Sequence, residues 1–315
     1  MTAPLPRTRR LLVLVALALV APGARCAGHP QKAPAPNAPI EQLWMDPGDI
    51  GSRDLRLGPE GDEHVPDPDA EYKFLTADTS GHSKGYEVED PKGRKWKVKV
   101  GEEAQSELVA SRILWAIGFH QPVEHYVARW RMTGGPVAQP EPGRFRLDSD
   151  HKSDGDWSWT ENPFAGTREL RGLIVANFLV NNWDLNTTQN RIYRMKKSAA
   201  PETRYVVQDL GAALGKARWW FSNRNDVESF EKEGFVEGVD KSGHVEFDYH
   251  GRHRDLLKGI TPEDVAWVCG LLSQLSHEQL RDAFRAAQVP DDVAERFVKK
   301  LEERIRQGVA LTGSA

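Results

Sequence analysis

Cysteine is almost absent: Cys26 and Cys269 are the only two in 315 residues. That scarcity excludes a disulfide scaffold, and without a closely spaced cysteine pair it also excludes a thiolate zinc site. Neither G-x-S-x-G nor H-E-x-x-H occurs, so a serine hydrolase or zinc protease has no motif to stand on. No apolar run reaches the roughly 20 residues that a membrane-spanning helix needs. Positive charge is not in excess either. With 42 Lys and Arg against 46 Asp and Glu the formal charge is −4, which disfavours nucleic acid as a partner.

What is present is an ordinary globular composition, 39% hydrophobic and 28% charged, with ten tryptophans that call for burial. The chain opens with Arg7, Arg9 and Arg10, an apolar run from Leu11 to Ala21, and then small residues, which is the pattern of a secretory signal peptide over 1–26. The protein is therefore expected to be exported, periplasmic or secreted, with no stable membrane anchor. Cys26 invites a lipoprotein reading, but Arg25 before it fits that poorly. Loss of 1–26 removes four arginines and no acid, taking the charge from −4 to −8. Cys269, in EDVAWVCGLL, reads as a small apolar core residue.

Residues 27–71 are proline-rich and charged, and read as a mostly extended linker from which IEQLWM could pack down. From Tyr72 the pattern becomes regular. YEVED and KWKVKV alternate around the turn-prone DPKG, a hairpin signal. EEAQSELVASRILWAIGFH follows with Ala104, Leu108, Ser111, Trp115 and Gly118 at helical spacing, and VEHYVARWRM reads as a further strand. TGGPVAQPEPGRF reads as a polar connection, after which RELRGLIVANFLV predicts a helix starting beyond Thr167. RIYRM and RYVVQDLG predict a short hairpin. Three helices then open at Thr261, Ser276 and Pro290-Asp291. The fold class is α+β, a small β-rich lobe over 72–130 with one long helix and a larger, mainly helical lobe over 131–315.

Between that helix and that hairpin lies NNWDLNTTQN, with four asparagines, a glutamine and one acid. Asp184 precedes the first hairpin strand and Asp209 follows the second, so the hairpin gathers both carboxylates, with Gln189 and Asn190, at one edge. Oxygen-only clusters of this kind suit Mg²⁺ or Mn²⁺ and leave room for substrate phosphates. WDLNTTQN resembles the catalytic loop of protein kinases, and QDLG at 208–211 resembles their metal-binding D-F-G with Leu210 in the aromatic's place. A strand lysine in KWKVKVG and a helix acid in EEAQSELVAS precede them in the same order. The chain is thus similar, over about 72–220, to the protein-kinase-like superfamily, in its atypical HipA-like or secreted form.

The resemblance implies a two-lobed fold and ATP-dependent phosphate transfer. Asp184 would be the catalytic aspartate that takes or orients the proton of an acceptor hydroxyl, and Asp209 the metal ligand, completed by Asn190 or Gln189. Lys99 would contact the nucleotide phosphates and pair with Glu107; Lys97 on the same strand face is the second candidate, as Glu103 is for Glu107. Nucleotide, Mg²⁺ or Mn²⁺ and an unknown protein or small-molecule acceptor would be its partners. Departures are specific. Asn186 stands where such kinases carry lysine, Gln189 stands five residues after Asp184, and only TSGHSKG stands where a glycine-rich loop belongs. Asn186 in the lysine's place and an exported destination, where ATP is scarce, favour a rival from another class, a catalytically silent pseudokinase-type binding or scaffold module. A more distant third is a secreted domain of another fold.

Two further clusters compete. Asp150, Asp154, Gly155 and Glu161 match places of a calcium loop, but Lys152 occupies a ligand place. His244, Glu246, Asp248 and His250 would share one strand face, near His253, and could bind Zn²⁺; an exposed polar face is the simpler reading.

Overall fold

A computed structural model describes residues 38–78, 84–148, 150–196, 200–218 and 221–312. The leader expected at 1–26 and most of the loop TSGHSKG lie outside the described residues. The architecture is two-lobed α+β, as expected. Seven elements build the small lobe: β1 (Glu71–Asp78), β2 (Gly85–Glu89), β3 (Lys95–Val100), α1 (Glu103–Ala116), β4 (Glu124–Val127), β5 (Arg131–Thr133) and β6 (Gly143–Leu147). The strand order is β4-β6-β3-β2-β1-β5, with β1 and β5 parallel and the other pairs antiparallel. Neighbours in sequence, β4 and β5 lie at opposite edges of this sheet. Their short link spans about 14 Å at most, whereas the edges of six flat strands stand roughly 24 Å apart. The sheet must therefore curl toward a barrel around Tyr72, Trp96, Trp130 and Phe145.

Two readings of this region are corrected. VEHYVARWRM is not one strand, because Trp130 between its two halves turns into the sheet's core and breaks the run. The connection TGGPVAQPEPGRF ends in β6, a central strand whose Phe145 is fully buried. The sheet of the small lobe consequently runs to Leu147, past the boundary expected at 130.

The large lobe contains the sheet β7-β8-β9, from β7 (His151–Asp156), β8 (Asn190–Met195) and β9 (Thr203–Val207), and the helix α2 (Arg168–Leu179). It continues with α3 (Val227–Lys232), β10 (Val236–Val239), β11 (Val245–Phe247), α4 (Pro262–Leu272), α5 (His277–Ala286) and α6 (Asp291–Ala310). The helix starts read from sequence hold for physical reasons: Thr167 caps α2, and Thr261 with Asp264 and Ser276 with Gln279 form capping boxes at α4 and α5. Cys269 is fully buried and free, its thiol pushed up to about 12 by burial. The first half of the calcium pattern forms strand β7. Two of its acids are taken by neighbours, Asp150 by His151 at 2.6 Å and Asp154 by Arg194 at 2.7 Å.

Residues 38–58 are no extended linker. Leu43, Ile50 and Leu55 are buried, the Trp44 indole donates to Ile117 O at 2.7 Å, and Arg53 donates to Trp115 O at 2.7 Å. Packing thus extends beyond IEQLWM and straps the end of α1. At Gly118, φ is +98° and a Cβ would stand 2.2 Å from Met45 O, so only glycine lets the strap approach.

Candidate functional site

Alternation along β3 turns Trp96, Val98 and Val100 into the core and sends Lys97 and Lys99 to the other face. The two lysines then diverge. Lys97 is half exposed and pairs with Asp148 at 3.0 Å. Lys99 Nζ lies 3.1 Å from Glu107 Oε2 in an ion pair that is not a well-aligned hydrogen bond, 3.5 Å from Glu103 Oε2, and bonds Asp209 Oδ1.

Glu107 is 1% exposed, and its second oxygen accepts from Arg144 at 2.8 Å and from Arg146 at 2.5 Å. Burial alone would raise this carboxyl, but the charges of Arg144, Lys99 and Arg146 outweigh it and hold Glu107 well below the ordinary carboxylate range. Arg146 also bonds Glu124 Oε1 at 2.6 Å and Gln208 Oε1 at 2.9 Å, tying the small-lobe network to the residue before Asp209.

Across the cleft, the polar run after α2 divides into two jobs. Asn181 and Asn182 are buried fasteners: Asn181 donates to Gly215 O and accepts from Arg304, both at 2.9 Å, and Asn182 donates to Asn177 Oδ1 at 2.9 Å. Asp184 is half-buried and faces two amides. Asn186 Nδ2 bonds one of its oxygens and Gln189 Nε2 the other at 2.9 Å, while Gln189 Oε1 accepts from Asn186 N at 3.3 Å. Asn190 is fully buried, donating to Trp157 O at 3.1 Å, and its Oδ1 has no partner among the described residues.

The β8–β9 register pairs Asn190 with Val207, and Gln208 N donates to Gln189 O at 2.9 Å. The hairpin therefore carries Gln189, rather than Asn190, alongside the approach to Asp209. Asp209 itself has φ 56° and ψ 52°, a left-handed conformation that turns the chain into the tight 210–212 turn. There Gly211 O accepts from Ser106 on α1 at 2.8 Å, and a Cβ at Gly211 would stand 2.7 Å from the Glu103 Cβ. Glycine at this place is what allows α1 to seat against the Asp209 turn.

Beyond the turn the chain passes back over the loop. Leu214 N donates to Val180 O at 2.8 Å and the Trp183 indole to Asn223 O at 3.0 Å. Arg224 lies over the Trp183 ring at 5.1 Å and pairs with Glu103. Lys84, Gly101, Glu102, Glu103 and residues 222–226 line a cleft of about 790 Å³ at the outer end of α1. Behind Asp184, Tyr249 is 3% exposed; burial, then the charge of Asp184, raises its phenol.

Arg144, Arg146, Glu124, Gln208 and Arg224 were not singled out from sequence. The one signal for the first two was the alternation of arginines about Phe145 in GRFRL. His244, Glu246, Asp248 and His250 do not share one strand face: β11 ends at Phe247, His244 turns to Asp240, and His250 pairs with Asp248 at 3.0 Å. Among the described residues, Glu237, Asp248 and His250 remain close enough to share an ion, outside the cleft described above.

The sequence matches no family profile and no curated protein. Among solved structures, the proinflammatory kinase CtkA of Helicobacter pylori is similar at 11% identity and a TM-score of 0.47, over 78% of this chain and 98% of that one.

Proposed function

We propose that the protein is an exported, kinase-like phosphotransferase that binds ATP with Mg²⁺ or Mn²⁺ between its lobes and transfers phosphate to a hydroxyl of a protein or small molecule. The observation that carries this reading is the position of Lys99, whose ammonium joins Glu107 on α1 to Asp209, 110 residues further along the chain. A lysine so placed is released to nucleotide phosphates once a cation takes Asp209, because Glu107, locked by two arginines, keeps the side chain aimed. The donor set fits a hard divalent ion. Asp209, with a side chain 41% exposed, would hold it, and Gln189 would add an amide oxygen without giving up its bond to Asp184. Bound there, the ion would neutralise charge on the nucleotide phosphates. Asp184 would accept the acceptor's proton, oriented by Asn186 and Gln189. Among the described residues no helix is long and apolar enough to cross a membrane.

A silent nucleotide-binding module is the second reading, favoured by one observation: both Asp184 oxygens accept from neutral amides, those of Asn186 and Gln189. Thermal shift with ATP and Mn²⁺, on the protein without its leader and on Asp209→Ala, tests both. We expect stabilisation of the first alone, accompanied by loss of γ-phosphate. Stabilisation without turnover leaves the silent module, and no stabilisation of either protein sinks both readings.

A further inference from the structure

We infer that Arg224 is the cation that contacts the transferring phosphate, in place of the lysine that Asn186 does not supply. The inference rests on the phosphotransfer reading above. Among the residues of the 182–190 loop none is a lysine or arginine, and the neighbours of the Asp184 carboxylate are the amides of Asn186 and Gln189. A phosphoryl group in transfer carries negative charge on three oxygens, so a site that lacks a cation there needs one from another element.

Arg224 is brought to that place by two contacts of its own and one of its chain neighbour. Its guanidinium lies over the ring of Trp183, the residue immediately before Asp184, at 5.1 Å. It pairs with Glu103, whose other oxygen lies 3.5 Å from Lys99 Nζ. Its chain neighbour Asn223 is held by the same Trp183 through the indole N–H at 3.0 Å. Arg224 is therefore one carboxylate away from the lysine that would hold the α and β phosphates, and one residue away from the proposed base. It also lines, with Lys84, the open cleft of about 790 Å³ at the outer end of α1.

Glu103 parks the guanidinium when no phosphate is present. It sits in the first turn of α1, one turn before the buried Glu107. In the transfer, the bond from the γ phosphorus to the β–γ bridging oxygen breaks and one to the acceptor oxygen forms. The hydroxyl proton goes to Asp184, ADP leaves with the electron pair, and Arg224 neutralises charge on the outer oxygens throughout. A planar guanidinium suits this role because it can bind two phosphate oxygens at once.

The test compares ATP with ADP. With Mn²⁺ present, affinities for both are measured for the wild type, Arg224→Ala, Arg224→Lys and the double variant Asn186→Lys/Arg224→Ala, together with phosphate release and melting temperature without nucleotide. We expect Arg224→Ala to lose about tenfold in affinity for ATP and little for ADP, and to lose phosphate transfer by about 10²-fold, the scale for one charge-stabilising donor. Arg224→Lys should fall between, and Asn186→Lys should restore at least tenfold in transfer to the Arg224→Ala protein. An unchanged ATP-to-ADP ratio in Arg224→Ala overturns the inference and leaves the phosphotransfer reading standing. Faster transfer in that variant would mark the Glu103 pair as a closing latch and overturns it as well. If the wild type binds but does not transfer, the silent-module reading stands and the inference is overturned. If the wild type binds neither nucleotide, the phosphotransfer reading fails and takes the inference with it.

Discussion

On the small-lobe wall of the cleft, Glu107 is buried beneath Lys99, Arg144 and Arg146, and Arg146 passes on to Glu124 and Gln208. On the large-lobe wall, Asp184 is half open and is met by the neutral amides of Asn186 and Gln189. One wall is fixed by full charges in a dry place, and the other by dipoles near water. A buried ionic network has few alternative arrangements, because each partner moved leaves another charge uncompensated. Amides around a half-exposed carboxylate can be traded for water at little cost. On the proposed reading, aiming of the nucleotide would be built into the fold, whereas the transfer step would depend on groups that have to be recruited, Arg224 among them.

The comparison breaks most sharply on stability. Glu107→Ala strands three cations around a vacated site, and we expect a loss of about 3 to 5 kcal/mol in urea unfolding, the scale for removing one partner of a buried ion pair. Asp184→Asn should change stability by less than about 1 kcal/mol. Equal losses would mean that the walls do not differ. The pH dependence follows with a definite sign: the folded Glu107 carboxyl is depressed by its cations, so its stabilisation is present above the unfolded value of roughly 4.3 and is lost as the pH falls through the lower folded value. Glu107→Gln should flatten the acid limb of the stability curve below about pH 4.

Next in size is the contrast within β3. Lys99→Met should weaken ATP binding by roughly 10²-fold, since a charge-assisted phosphate contact contributes about 1.5 to 3 kcal/mol. Lys97→Met, which breaks only a half-exposed pair with Asp148, should change it less than about twofold. Calorimetric titration of both variants measures the difference, and a comparable loss in Lys97→Met would displace Lys99 from its role.

The helices and the hairpin were legible because local chemistry decides them. Thr261, Ser276 and Thr167 each cap the helix they were expected to open. Asp184 and Asp209 were found because a hairpin has to bring its ends together. Arg144 and Arg146 were not, since their partner Glu107 lies 37 and 39 residues away and nothing local marks an arginine that will be buried. The strap at 38–58 was misread for a related reason. Its prolines resemble those of a linker, and the few apolar residues that anchor it, Leu43, Ile50 and Leu55, become informative only against the end of α1.

The smallest effect separates two adjacent amides that the sequence left as equals. Gln189 stands opposite Gln208, beside the approach to Asp209, and is partly exposed; Asn190 stands one step deeper, opposite Val207, with no exposed surface. If Gln189 supplies the amide oxygen to the ion, Gln189→Ala should weaken Mn²⁺ binding by about tenfold, the effect commonly seen when an oriented neighbour of a metal is lost, and barely alter the melting temperature. Asn190→Ala should do the reverse. It leaves the Trp157 carbonyl unpaired in the core, at about 1 to 3 kcal/mol, while a protein that still folds keeps its Mn²⁺ affinity. Manganese relaxation titration beside thermal unfolding reads both quantities on the same samples. Swapped phenotypes would move the ligand to Asn190, whose unpartnered Oδ1 would then be explained as a ligand atom turned inward until the cation arrives.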